Sequence, residues 1–286
     1  MNTRMLNERI KLFYDQSTPL WLHLWGEHMH QGYYGIKAGQ ANKTYAKAQE
    51  DLVEELLLWS NIRQANHILD AGCGIGASAR TLAKKFDAKV LGITISPVQA
   101  EKGRQYTRTA GPEHSVTIEA LDMANLDRDE QKFDLVWSVE SFEYVADKKE
   151  LLSLFYDLLM PGGHLLIAGW YHRFEPPVLE KAEQLILNKV YQQLHFRSLV
   201  SLQALESFAK QAGFTDVRSA DWSEAIVPFW KVGISTFFRW KFLTGLFKAG
   251  WPNLKNSWAL RYMIKGFRKK LIRYGVFYGT KKINSS

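Results

Sequence analysis

Ile68-Leu69-Asp70-Ala71-Gly72-Cys73-Gly74-Ile75-Gly76-Ala77-Ser78 is the stretch whose reading decides the fold. It opens as a short apolar strand, passes through alternating glycines and continues into helix-forming residues. Glycine at Gly72, Gly74 and Gly76 lets a ligand come close to the backbone at a strand-to-helix turn, so the segment reads as a nucleotide-type cofactor loop.

Outward from this loop, strand-like and helix-like signals alternate. Short apolar runs followed by turn residues place strands at residues 67–70, 89–94, 116–120, 133–138 and 164–170, with two later ones at 214–220 and 271–279. Such alternation implies a parallel sheet with helices on both faces. Before the sheet, Leu6, Ile10, Phe13 and Tyr14, and then Tyr45, Ala48, Leu52, Leu56 and Trp59, recur at helical spacing. Ser96-Pro97-Val98-Gln99 and Asp147-Lys148-Lys149-Glu150 each predict a helix start with a capping box. The expected fold is a single α/β domain with a doubly wound, mostly parallel seven-stranded sheet. Residues 1–62 form an N-terminal helical cap, 63–221 a cofactor-binding core, 222–270 a basic, aromatic helical lid inserted before the last strand, and 271–286 that strand and a tail.

A chain of 286 residues that is 46% hydrophobic and 23% charged can bury a sizeable core, which excludes disordered and fibrous classes. Cys73 is the single cysteine, so no disulfide forms within the chain and a reducing compartment such as the cytosol is expected, with Cys73 a small buried filler. Arg4, Glu8 and Arg9 stand where a secretory signal needs an apolar run. Residues 151–172 are interrupted by Asp157 and Pro161-Gly162-Gly163, so no membrane-spanning helix is expected. The net charge of +8 is uneven: residues 226–286 hold thirteen Lys or Arg, fourteen aromatics and no Asp or Glu. That mixture suits an anionic membrane surface or a nucleic acid, or a lid whose lysines are simply solvated.

Gly72, Gly74 and Ala77 loosely fit a dinucleotide loop, so an NAD enzyme has to be weighed. Asp70 would repel a pyrophosphate, whereas it favours the ammonium and sulfonium of S-adenosylmethionine. The second strand also ends in Gly92-Ile93-Thr94, without the carboxylate that grips an NAD ribose. S-adenosylmethionine is therefore the expected cofactor. Thr94, or Gln99 at the next helix start, with Ile95 alongside, would take the place of the acidic residue that many such enzymes use on the ribose. Asp122 can accept from the adenine amine and Met123 can pack on the ring. Ser138 in the fourth strand, and Tyr14 and Tyr33 from the cap, complete the candidate cofactor set. Glu140 follows the fourth strand and so emerges at the carboxyl edge of the sheet, which makes it the first candidate for a polar catalytic role; His172, past the fifth strand, is the second. His28 and His30 cannot share one helical face, and no metal site is expected.

The chain resembles the tocopherol methyltransferase-like family of class I S-adenosylmethionine-dependent methyltransferases, whose fold is Rossmann-like, over nearly its whole length. The likeness is carried by Phe13-Tyr14-Asp15, Trp25-Gly26-Glu27-His28-Met29-His30-Gln31-Gly32-Tyr33-Tyr34, the glycine loop, residues 92–99 and 133–141, Trp170-Tyr171-His172-Arg173, Asp221-Trp222-Ser223, Pro228-Phe229-Trp230 and residues 263–272. Thr94 is what that family carries at its place. The resemblance implies methylation of a small amphipathic ring acceptor: C-methylation of a prenylated phenol or quinol such as a tocopherol, or N-methylation of an indole-type metabolite. Phe142-Glu143-Tyr144 departs from the Gly-Glu-His usual in tocopherol-type enzymes, which leaves room for a different acceptor. Two other readings compete. A nucleic-acid methyltransferase would show Asn or Asp, Pro-Pro and an aromatic after the fourth strand, where Ser138-Val139-Glu140-Ser141 stands, so no nucleic acid is expected. A lipid-binding or membrane-docking module with a non-catalytic cofactor fold would have no need of an intact Asp70 and three glycines.

Overall fold

Apolar side chains with turn residues behind them form the strands, and their alternation with helices builds a seven-stranded sheet of order β3-β2-β1-β4-β5-β7-β6. The computed structural model describes residues 3–35, 43–111, 114–128, 132–227 and 260–283. Strands β1 (His67–Ala71), β2 (Lys89–Thr94), β3 (Val116–Ala120), β4 (Phe133–Val139) and β5 (Leu159–His172) run parallel, and β7 (Ile272–Lys281) lies antiparallel between β5 and β6 (Phe214–Asp221). The cap consists of α1 (Thr3–Trp25) and α2 (Tyr45–Ser60), followed by α3 (Ala77–Phe86), α4 (Pro97–Ala110), α5 (Lys148–Leu158), α6 (Lys181–Leu194), α7 (Leu202–Ala212) and α8 (Leu260–Arg268), and residues 223–227 after β6 are helical as well. Most of the expected lid over 222–270 lies outside the described residues.

Helices cover the sheet on two sides, which gives two cores. Leu52, Leu56, Leu82, Trp137, Tyr274 and Val276 belong to one, and Leu69, Val136, Phe155, Ile167, Leu205 and Phe277 to the other. Neighbouring strand residues alternate between them, as the pleat requires. The strand β5 begins earlier than expected, because Pro161-Gly162-Gly163 lies within it as a bulge: Phe133 pairs with Leu159, but Leu135 pairs with His164.

Both expected helix starts form, with half of each expected capping box. Ser96 Oγ accepts from the Gln99 N–H (3.1 Å) and Asp147 Oδ1 from the Glu150 N–H (2.9 Å). The returning side chains go elsewhere: Gln99 to Thr94, and Glu150 to Arg128. At α3 the cap is Asp70 itself, whose carboxylate accepts from the Ala79 N–H. This satisfies a first-turn donor that Gly76, the N-cap residue, has no side chain to reach.

Candidate active site

At the carboxyl ends of β1, β2 and β4 lies a cavity of about 380 Å³, lined among others by Asp70, Gly72, Gly74, Thr94, Asp122 and Glu140. Its floor is the glycine turn. Gly72 has φ 91°, and a Cβ there would stand 2.2 Å from Ser141 Cβ. Ser141 is fixed in that place by donating to Ala71 O (2.7 Å) and pairing with Ser138 Oγ (2.8 Å). Gly74, at φ 57°, has no other protein atom within 3.9 Å of where its Cβ would be, so its bare backbone faces open cavity.

Asp70 is 2% exposed, and its Oδ2 has no hydrogen-bond partner. Burial raises its carboxyl to about 7, against the pull of the Ala79 N–H. A buried acceptor without a partner beside a bare glycine backbone fits a cationic ligand lying against the turn. The rest of this wall suits an adenosyl group. Thr94 Oγ1 donates to Gln99 Oε1 (2.7 Å), and Gln99 Nε2 reaches Met29 Sδ (3.4 Å). Asp122 accepts from the Ala124 N–H (3.0 Å) and from Asn7 of α1. Ile95 and Met123 add apolar surface.

The opposite wall carries Glu140 at φ 51°, a left-handed conformation that costs a non-glycine residue about 1–3 kcal/mol. Its N–H donates to Ala168 O (2.8 Å), and its Oε1 accepts from the Gln31 N–H (2.7 Å) and the Tyr274 hydroxyl (3.1 Å). Burial is the main reason that its carboxyl stands at about 8, with the neighbouring Glu143 adding to the effect. Tyr14 of α1 donates to the Tyr144 hydroxyl (2.7 Å), and both rings line the cavity. Two phenols that share one hydrogen bond leave one hydroxyl hydrogen over. Below them Glu143 accepts from the Trp170 N–H (2.5 Å), and burial raises its carboxyl to about 7.

Of the residues singled out by sequence, the structure brings Tyr14, Asp70, Gly72, Gly74, Thr94, Ile95, Gln99, Asp122, Met123 and Glu140 to one cavity. Four others do not line it. His172 sends Nδ1 to Arg173 O (2.7 Å), and Tyr33 packs on Trp222 (5.2 Å between ring centroids). Ser138 is buried behind Ser141, and Gly76 sits under Ile118, 2.7 Å from the site of a Cβ. Cys73 is half-buried, packs against the first core and also borders the cavity, and burial raises its thiol. His28 and His30 do meet (Nδ1 to Nε2, 3.0 Å), because residues 26–35 are not helical. Burial lowers them to about 3 and about 4, which keeps both neutral. Gln49 Nε2, buried on α2, holds this segment by donating to His28 O (2.6 Å) and His30 O (2.8 Å). Among the described residues no cluster of metal-ligating groups exists. Sequence reasoning did not assign cavity positions to Asn7, Met29, His30 and Arg197; the second and third lay in plain view inside the 25–34 motif.

A mostly parallel sheet with an antiparallel β7, a glycine turn after β1 and a buried carboxylate under it define a class I S-adenosylmethionine-dependent methyltransferase. The family model described as mycolic acid cyclopropane synthetase matches residues 2–225. The probable chloroplastic tocopherol O-methyltransferase of Oryza sativa subsp. japonica is 34% identical over 95% of this chain and 77% of its own. Norajmaline N-methyltransferase of Rauvolfia serpentina is 30% identical over 92% of this chain and 94% of its own. A solved methyltransferase from Galdieria sulphuraria shares the fold, with a TM-score of 0.81 at 21% identity, over 95% of this chain and 98% of that one. The chain belongs to the tocopherol methyltransferase-like family, and it is an enzyme that transfers a methyl group from S-adenosylmethionine to a small-molecule acceptor.

Proposed function

We propose that the acceptor is an amphipathic ring compound carrying a nucleophilic phenol or amine, with a prenylated quinol of the tocopherol kind or an indole amine as the two chemistries to test. The observation that carries this reading is Glu140, a carboxyl raised to about 8 and held in a left-handed conformation on the cavity wall facing the glycine turn. S-adenosylmethionine, when bound, supplies an electrophilic methyl on a sulfonium. Asp70 and the turn at Gly72 and Gly74 hold its charged end, Thr94, Gln99 and Asp122 its ribose and adenine, and Tyr14 closes over it from the cap. In its ionised form, which becomes the majority as pH rises through about 8, Glu140 takes the hydroxyl proton of a phenol, which raises electron density on the ring carbon that is methylated; proton transfer of this kind contributes roughly 10²–10⁴-fold. The spare hydroxyl hydrogen of the Tyr14–Tyr144 pair lies on the same cavity and suits the acceptor's oxygen. An amine needs no base for the attack, so Glu140 would only orient it.

The proposal extends to the setting of the enzyme: a reducing compartment such as the cytosol, with residues 226–286 in peripheral contact with an anionic membrane and residues 222–270 as a substrate lid. The rice relative is chloroplastic by name. Among the described residues no helix is long and apolar enough to cross a membrane.

Methyl-labelled S-adenosylmethionine with a panel of prenylated quinols and indole amines tests the acceptor class. Glu140→Gln is expected to lower kcat at least about a hundredfold on a phenol, with cofactor binding intact. An unchanged kcat on the preferred phenol would remove Glu140 from the chemistry, and no transfer to any member of either class would reject the acceptor reading.

A further inference from the structure

Nine large apolar side chains are exposed among the described residues, and three of them fall within twelve consecutive positions: Phe174 (49%), Val178 (77%) and Leu185 (65%). Their loop is pinned from beneath by Arg173. Its guanidinium donates to Phe174 O (2.9 Å), Pro177 O (2.5 Å) and Val178 O (3.2 Å) and pairs with Glu183. One charged group thus fixes the backbone while the apolar side chains stay outside.

What surrounds them is cationic. On α6 the buried face is Ile186, Leu187 and Val190, so Lys181, Leu185 and Lys189, spaced four apart, share the outer face. Helix α8 packs on α6 closely enough that a Cβ on Gly266 would touch Ile186 (3.5 Å). It turns Met263 and Gly266 inward and leaves Arg261, Lys265, Arg268 and Lys269 exposed, with Lys270 following. The exposed charges of these two helices, the turn after α8 and the 174–180 loop are seven cations against two carboxylates, Glu175 and Glu180. An ordinary solvated face mixes both signs and exposes few large apolar groups.

We infer that this face, formed by the 174–178 loop and the outer sides of α6 and α8, docks on an anionic lipid bilayer, with Phe174, Val178 and Leu185 entering the headgroup region and the lysines and arginines lying on it. It rests on the proposed membrane contact, but adds to it the apolar residues Phe174, Val178 and Leu185 and the cations of α6, all before residue 226. The location agrees with the chemistry. The loop leaves β5 at His172, which pairs with Ile272 at the start of β7, so the face adjoins the same carboxyl edge that holds the cavity. A lipophilic acceptor could then pass from bilayer to cavity without crossing water.

The test uses the full chain with sedimenting vesicles of phosphatidylcholine containing about one-third phosphatidylserine, and of phosphatidylcholine alone. Binding is expected to the anionic vesicles and to disappear towards about 1 M salt. Val178→Asp with Leu185→Asp should lower partitioning at least about tenfold. Lys265→Ala with Lys269→Ala should lower it roughly 25-fold, about fivefold per cation. Both double variants should keep the rise in melting temperature on adding S-adenosylmethionine, which separates loss of this face from failure of the methyltransferase site. Equal binding to neutral vesicles, a protein that stays in the supernatant at low salt, variants that partition as wild type, or a dimer whose interface covers Leu185 would each overturn the inference.

Discussion

The two edges of the sheet are built from the same residue types and treat them differently. At the amino edge, Asp134 accepts from both the Asn66 and His67 N–H groups (2.9 Å each), and Lys281 Nζ donates to Tyr156 O and Leu159 O (2.8 Å each). At the carboxyl edge, Asp70 Oδ2 and Glu143 Oε2 are buried without partners, and Asp70, Glu140 and Glu143 all hold their protons into the neutral range. Partnerless buried polar atoms also occur elsewhere, at Trp137 and Thr107 for example, but Asp70 combines one with a place on the cavity wall, and that combination fits a ligand.

The sharpest way to break that contrast is Asp70→Asn, which can still accept from the Ala79 N–H but has no charge. Losing one charged hydrogen bond of about 2–3 kcal/mol should weaken S-adenosylmethionine roughly 30- to 150-fold in a calorimetric Kd; an unchanged Kd would place the ammonium elsewhere. A smaller effect comes from pH. Asp70 in the free enzyme stands at about 7, and a bound cation needs it ionised, so binding releases a proton below that pH. Affinity is therefore lost as pH falls through 7, approaching about tenfold per unit, and Asp70→Asn should remove this slope. His28 and His30 stay neutral above about 4 and do not blur it. Smallest is Asp134→Asn at the amino edge: water reaches this half-exposed group, so unfolding should cost less by under about 1 kcal/mol with no change in cofactor Kd. A weakened Kd there would show that the edges are not independent.

The places of the seven strands along the chain were legible because each is a short apolar run closed by a turn residue, and the glycine loop because bare backbone has few other uses. Pro161-Gly162-Gly163 misled for a physical reason: the residues that end strands also make bulges inside them. The glycine-turn side of the cavity was legible because β1, its turn and the β2 end are local in sequence. Of the other wall Glu140 was legible as a strand-end carboxylate, but its partners were not. Tyr14 meets Tyr144 across 130 positions and Gln31 meets Glu140 across 109, and no periodicity reports such distances. His172 and Tyr33 were placed by strand end and motif alone, and their side chains turn to Arg173 O and to Trp222. His28 and His30 were weighed only as a pair on one helical face, and they meet because residues 26–35 are not helical.

Gln49 fastens the 28–30 backbone to α2, and the next residue, Gln31, aims Glu140. The carboxyl proposed as the base is thus held by a segment fastened to a scaffold helix and by Tyr274 of β7, while α1 supplies Tyr14 and Asn7 to the cavity. On the proposed reading, substitutions along α1 would refashion what the cavity accepts while the carboxyl opposite keeps its bearing, a division of labour between a tunable cap and a fixed strand end.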